Sequence, residues 1–231
     1  MKAMILAAGR GERMRPLTDS LPKPLLEVGG KPLIVYHLEK LAAIGIVDVI
    51  INVAYLAEKM CDYLGNGSRW GLRIHYSREP EALETGGALL QALPLLGDEP
   101  FLLINGDVWV DIAFDEIPMT LSPDSLARLY LVDNPSHNRA GDFAIEQGRV
   151  IAKPASDTAN CQSYTFSGIA VISPLLITRY PEQRKIFPLR EVFYYFIQRK
   201  KLEAVLYQGV WCDVGTPERL QQINQRLISE C

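Results

Sequence analysis

Short apolar runs alternate with amphipathic stretches through the first hundred residues. Lys2–Ala7, Val47–Val53, Leu72–Tyr76 and Phe101–Ile104 are rich in Ile, Leu and Val, as strands buried on both faces are. Leu33–Ile44 carries Ile34, Leu38, Leu41 and Ile44 on one helical face, and Ala54–Leu64 and Thr85–Leu93 read as helices too. This alternation predicts right-handed crossovers and a doubly wound sheet. After Asp111 the rhythm changes. Leu126–Val132, Phe143–Ile145, Val150–Ala152 and Thr165–Ile172 read as strands on short connections, with Gln147-Gly148 as a hairpin turn. Helices return at Pro174–Arg179, Leu189–Lys200 and Pro217–Ile228, the last opened by a Thr216 cap and Pro217 in its first turn.

The first strand runs into Ala8-Gly9-Arg10-Gly11-Glu12-Arg13-Met14-Arg15-Pro16-Leu17-Thr18, with Pro22-Lys23-Pro24 just beyond. Small residues let a ligand approach the backbone, whose N–H groups then face its oxygens. Arg10, Arg13, Arg15 and Lys23 add the charge to neutralise several phosphates. The loop follows a strand, the end of an open α/β sheet at which ligands bind, and points to a nucleoside triphosphate. It lacks the Gly-Lys-Ser/Thr of a Walker loop, and Met14 stands where a dinucleotide fingerprint needs its third glycine. Two acids complete the pattern. Asp107 closes the run Leu102-Leu103-Ile104-Asn105-Gly106-Asp107 that ends a buried strand, and Asp213 sits between apolar residues just before the last helix. One or two carboxylates plus phosphate oxygens are the usual way to hold Mg²⁺. Asp213 reaches such a site only if the second half of the chain folds back.

The 231 residues, 48% apolar and 22% charged, suit one large globular domain, and the net charge of −3 argues against a nucleic-acid surface. No apolar run is long enough to span a bilayer, and the N-terminus does not read as a signal peptide. Cys61, Cys161, Cys212 and Cys231 have no metal-site spacing and read as reduced thiols of a cytoplasmic protein, Cys212 as site wall rather than nucleophile.

The run Leu6–Thr18 with Lys23-Pro24, Asp107 after the central strand, and Trp211-Cys212-Asp213-Val214-Gly215-Thr216-Pro217 together resemble the signature of sugar-1-phosphate nucleotidyltransferases. The resemblance covers nearly the whole chain. It implies a Rossmann-like mixed, mainly parallel sheet flanked by helices in a single domain (residues 1–231), with a nucleotide-binding half (1–111) and a sugar-phosphate-binding half (112–231). It implies the reaction of a nucleoside triphosphate with a sugar 1-phosphate to give a nucleotide sugar and pyrophosphate, with no protein nucleophile. Ala8, Gly9 and Gly11 then meet base and phosphates, Arg13 grips the β- and γ-phosphates, and Lys23 neutralises the α-phosphate region. Asp107 and Asp213 hold Mg²⁺. Glu79, Thr85, Gly86 and Asn105 belong to the nucleotide set; Thr85 also reads as a helix cap. Gly141, Lys153 and Gly168 belong to the sugar-phosphate set. Ala152 stands where the family often has a glutamate that binds sugar hydroxyls, which puts an ordinary glucose-type acceptor in doubt.

Asn105–Trp109, Asn134–Asn138 and Gly141–Phe143 resemble, within the family, the uridylyltransferases of N-acetylmuramate α-1-phosphate. That implies UTP, a place in peptidoglycan recycling and a cytoplasmic protein acting as a monomer or small homo-oligomer, with no nucleic-acid or membrane partner. A mannose- or other hexose-1-phosphate enzyme is the alternative. A non-catalytic regulatory subunit could lose Asp107, Asp213 or Lys23, all kept here, and a glycosyltransferase would favour an Asp-x-Asp motif, which Val108-Trp109 does not supply.

Overall fold

The computed structural model describes residues 1–153 and 162–229. Cys161 and Cys231 lie outside the described residues; Cys61 and Cys212 are free thiols. In chain order the elements are β1 (Ala3–Leu6), β2 (Glu27–Val28), β3 (Lys31–Pro32), α1 (Leu33–Ala43), β4 (Asp48–Val53), α2 (Ala57–Leu64), β5 (Arg73–Arg78), α3 (Glu84–Leu96), β6 (Phe101–Asn105) and β7 (Val108–Val110). They continue with β8 (Ala127–Val132), β9 (Phe143–Glu146), β10 (Arg149–Ala152), β11 (Ser163–Ile172), α4 (Leu175–Thr178), α5 (Leu189–Ile197), β12 (Leu202–Leu206), β13 (Trp211–Asp213) and α6 (Pro217–Ser229). The residues form two compact units that interleave along the chain: Met1–Ala82, Ile104–Ile117 and Val210 onward make the first, Leu83–Leu103 and Pro118–Gly209 the second. The fold is mixed α/β, strands flanked by helices.

In the first unit β1, β4 and β5 are parallel, with Leu6 opposite Asn52 and Asn52 opposite Ser77. Ala3, Met4, Ile5, Val49, Ile50 and Ile51 are fully buried, which is why β1 and β4 read as unbroken apolar runs, whereas β5 alternates, with Arg73, His75 and Arg78 exposed. A two-stranded antiparallel ribbon, β7 with β13, pairs Cys212 with Trp109 and Asp213 with Val108. A cluster of Met14, Leu26, Val28, Leu33, Trp109, Val214 and Ile223 underlies the loop, the ribbon and α6. Met14 thus anchors the loop core-side, at the position where the glycine fingerprint fails.

The second unit is mostly antiparallel. β11, β8, β12, β10 and β9 lie side by side, and the start of β11 also pairs with β9, so the five strands close on themselves. β11 bends at a bulge between Phe166 and Ala170 that contains Gly168 (φ 83°). Gln147 and Gly148 both have positive φ, as the β9–β10 turn requires. β12 escapes the sequence pattern because Glu203, opposite Arg128, is 8% exposed and ion-paired to it. A buried ion pair looks like a loop when read one strand at a time.

Candidate active site

The loop that follows β1 is folded on itself. Gly11 has φ 66°, and a Cβ there would stand 3.0 Å from Thr18 Cγ2 and 3.2 Å from Lys23 Cβ. Thr18 Oγ1 donates to Gly11 O at 2.8 Å, and Met14 N–H donates to the same carbonyl at 2.9 Å. Gly9 is exposed, and a Cβ on it would meet nothing within 4 Å, so its backbone is open to a ligand. Ala8 is half-buried beside it. The loop cations divide: Arg15 pairs with Asp19, and Arg10 lies over the Tyr55 ring and 3.9 Å from Glu12. Arg13 is exposed and, among the described residues, makes no ion pair. It is the loop arginine whose charge is uncommitted.

Lys23 points inward instead. Its ammonium donates to Asp107 Oδ2 at 2.6 Å, with side-chain exposures of 9% and 38%. Gly106 makes this possible: its N–H donates to Leu6 O at 2.8 Å, and a Cβ would lie 2.8 Å from that oxygen. The end of β6 thereby meets the end of β1, and Asp107 arrives beside the loop with half-buried Asn105 two residues before it. Asp213 returns to the same place from far along the chain, because Val214 N–H donates to Asp107 O at 2.9 Å. The fold-back required of the chain's second half is the β7–β13 ribbon. Asp213 Oδ2 accepts from Arg219 Nη1 at 2.8 Å, and Arg219 is largely buried. Sequence reasoning missed Arg219; its signal was a basic residue one turn into the helix that follows Asp213. Burial, and then the neighbouring Asp213 carboxylate, push the Cys212 thiol up to about 11, so it stays protonated and serves as wall.

Helix α1 fixes the strand that leaves Asp107. Lys40 Nζ donates to Val110 O and Ile112 O at 2.6 and 2.9 Å. His37 Nε2 donates to Val108 O at 2.9 Å, which assigns its proton, and the ring is stacked on Phe114. Burial, aided by the Lys40 charge, lowers His37 to about 4 against the favourable Val108 bond. The unfolded chain therefore takes a proton that the folded chain refuses as pH falls from about 6.5 towards about 4. Stability is unaffected above that window and is lost within it. Between pH 7 and 4.5 this group alone is expected to remove about 2 kcal/mol. Urea unfolding at the two pH values checks it: His37→Gln, which can still donate to Val108, is expected to lose correspondingly less than wild type, and equal losses would show that His37 does not titrate there.

The remaining expected site residues lie in the second unit, apart from Glu79, which is buried just after β5. Thr85 does not cap α3, which begins at Glu84; its Oγ1 accepts from Leu189 N–H at 2.9 Å and so caps α5. Gly86 N–H donates to Phe187 O at 2.9 Å, and a Cβ there would stand 2.5 Å from the Phe187 ring, so this glycine has a packing role. Lys153 Nζ donates to Gly141 O at 3.2 Å, bringing two of the three sugar-phosphate candidates together. Gly141 has φ 61°, with no room for a Cβ beside Asn134 Oδ1 and Ser163. Asn134 accepts from Thr165 Oγ1, and Asn138 donates to the same hydroxyl, which knits the loop that carries Gly141. Gly168 stands apart in the β11 bulge.

Asp107 and Asp213 on one ribbon are hard oxygen donors of the kind that, with phosphate oxygens, suit a divalent cation. Among the described residues no three His, Cys, Asp or Glu side chains group to hold one without such help. No helix among them is long and apolar enough to cross a membrane.

The family model for nucleotidyl transferases matches residues 2–230. The chain is 45% identical over 226 residues to an N-acetylmuramate alpha-1-phosphate uridylyltransferase from Neisseria meningitidis, covering 96% of each chain. It is 34% identical to a mannose-1-phosphate guanyltransferase from Candida albicans, covering 94% of this chain and 62% of that one. Its fold matches a proposed glucose-1-phosphate thymidylyltransferase from Bacillus anthracis (TM-score 0.86, 24% identical, 98% and 94% covered). It also matches HddC from Yersinia pseudotuberculosis in complex with GMP-PN (TM-score 0.77, 23% identical, 98% and 99% covered). With the loop, Lys23, Asp107 and Asp213 gathered as described, this chain belongs to the sugar-1-phosphate nucleotidyltransferase family.

Proposed function

We propose that this enzyme transfers the uridylyl group of UTP to N-acetylmuramate α-1-phosphate. An acceptor phosphate oxygen attacks the α-phosphorus in line, the bond to the β-phosphate oxygen breaks, and pyrophosphate leaves with its electron pair. The observation that carries the acceptor and the base is the 45% identity, across nearly all of both chains, to a relative of that name. The geometry supports the reaction class: positioning and charge neutralisation suffice, and no nucleophilic side chain is required.

The open backbone at Ala8, Gly9 and Gly11 receives the nucleotide, and Arg13 takes the β- and γ-phosphates. Lys23 serves the α-phosphate, where charge builds up. Asp107 and Asp213 would hold Mg²⁺, whose chemistry is to neutralise charge on the phosphate oxygens. Asn105, Thr85 and Gly86 complete the nucleotide set, by backbone or side chain. Lys153 takes the acceptor phosphate, with Gly141 and Gly168 shaping its surroundings. The small Ala152 leaves room for a lactyl ether. The whole chain acts as one transferase domain, monomeric or in a small homo-oligomer, and the product belongs to peptidoglycan recycling in the cytoplasm.

A pyrophosphate-release screen of nucleotides against sugar 1-phosphates tests this, followed by competition between acceptors. UTP with N-acetylmuramate 1-phosphate is expected to exceed UTP with N-acetylglucosamine 1-phosphate about tenfold or more in kcat/KM, at least about 1.4 kcal/mol of differential transition-state binding. Equal values would remove the muramate assignment. Preference for mannose 1-phosphate with GTP would favour the second reading, to which the 34% identical Candida albicans relative points.

A further inference from the structure

One buried amide holds the place where the phosphate loop begins. Ala7 N–H donates to Asn52 Oδ1 at 2.7 Å, and Asn52 Nδ2 donates to Glu79 Oε1 at 2.7 Å. Ala7, Asn52 and Glu79 are 5%, 3% and 7% exposed. The β1–β4 ladder ends with Leu6 opposite Asn52, and Glu79 N–H donates to Val53 O. The three residues therefore lie at the carboxyl ends of three adjacent parallel strands, the sheet edge at which ligands bind. The Ala7 N–H can only donate and Glu79 Oε1 accepts, so the two together dictate which way the Asn52 amide faces. Nδ2 must go to Glu79, which leaves Oδ1 for Ala7. A backbone amide at the root of the loop is thus fixed by a side chain, and that side chain by an acid.

We infer that Asn52 is a positioning residue for nucleotide transfer, and that Glu79 acts by orienting Asn52 rather than by reading the base. The inference rests on the nucleotidyl-transfer reading. A loop rooted even an ångström away presents its amides out of line with the phosphates. Glu79, bonded through Oε1 to Asn52, serves to orient that amide.

Exchanging the polarity of the pair tests this. In N52D two carboxylates face each other, and kcat/KM for UTP is expected to fall about 10²-fold. In E79Q the new amide can still offer its oxygen to Asn52, and kcat/KM is expected to stay within about threefold of wild type. In N52D/E79Q the glutamine nitrogen donates to the introduced aspartate and the Ala7 amide again finds an acceptor, so kcat/KM is expected to recover to within about fivefold. N52L removes both bonds; its KM for UTP is expected to rise, and hydrogen exchange at the Ala7 amide to speed up at least about tenfold. Melting temperatures run alongside, because a merely structural role would lower them with KM for UTP unmoved. If N52L does not fold, the polarity exchange decides. A double variant no better than N52D, or N52D at wild-type activity, overturns the inference. If wild type turns over no nucleotide with any sugar 1-phosphate, the functional reading fails instead. Ala7 exchange in wild type, N52D and N52D/E79Q then decides the hydrogen-bond chain alone: slow, fast and slow again supports it, and equal rates overturn it.

Discussion

Asp107→Asn and Asp213→Asn are each expected to slow Mg²⁺-dependent turnover by roughly 10³-fold or more while the fold survives. The amide keeps the size of the side chain and one acceptor oxygen but gives up the negative charge that a divalent cation requires. The structure sharpens the expectation, because neither acid is idle. Asp107 accepts from the buried Lys23 ammonium, and Asp213 from the largely buried Arg219 guanidinium. The cations are buried but the acids are 38% and 23% exposed, so losing either pair costs well under the about 3–5 kcal/mol of a fully buried pair, and the retained amide oxygen softens it further. A lowered melting temperature is therefore expected, with Val214 N–H still bonded to the backbone carbonyl at position 107 and the ribbon intact. Measuring kcat against Mg²⁺ concentration together with the melting curve separates the two effects. Near-normal turnover in either variant would remove that residue from the metal site, whatever its stability.

The parts of this molecule that the sequence made legible are those whose physics is local. Strands β1, β4 and β6 show as apolar runs because both faces are buried. The loop shows because glycines, arginines and the Pro-Lys-Pro stretch are adjacent in the chain. What stayed hidden depends on residues far apart. β7 and β13 are three residues each, too short for any periodicity, and exist because they pair with one another. β12 was hidden by Glu203, whose charge makes sense only opposite Arg128. Thr85 reads as the cap of its own helix but caps a helix a hundred residues later. Nothing in the sequence singled out Asn52, whose role depends on Ala7 and Glu79, one at the end of each neighbouring strand. The pair of acids was half legible: Asp107 and Asp213 could be singled out in the chain, but the backbone bond that joins their positions and the arginine that answers Asp213 could not.

Lys23→Ala is expected to lower kcat by about 10²–10³-fold with a smaller change in KM for UTP, the size of effect seen when one preorganised donor to developing charge is removed. Lys23 is well built for that role. It opens a single 3₁₀ turn between Pro22 and Pro24, its stem packs close to Gly11, and its side chain is 9% exposed. A cation so confined loses little freedom when it acts, and its charge is little screened by water. Its partner in the free enzyme is Asp107. Were Asp107 to hold a divalent cation, the Lys23 ammonium would be released for the α-phosphate, at whose phosphorus bonds form and break. Arg13→Ala is the comparison. Arg13 is exposed on the loop; in the proposed role it would meet the triphosphate before reaction as well as during it, and both KM and kcat are expected to worsen. Steady-state kinetics of the two variants with saturating acceptor separates the roles. A Lys23→Ala enzyme changed only in KM would make Lys23 a binder of the ground state, and the charge that meets the transition state would have to come from elsewhere in the first unit.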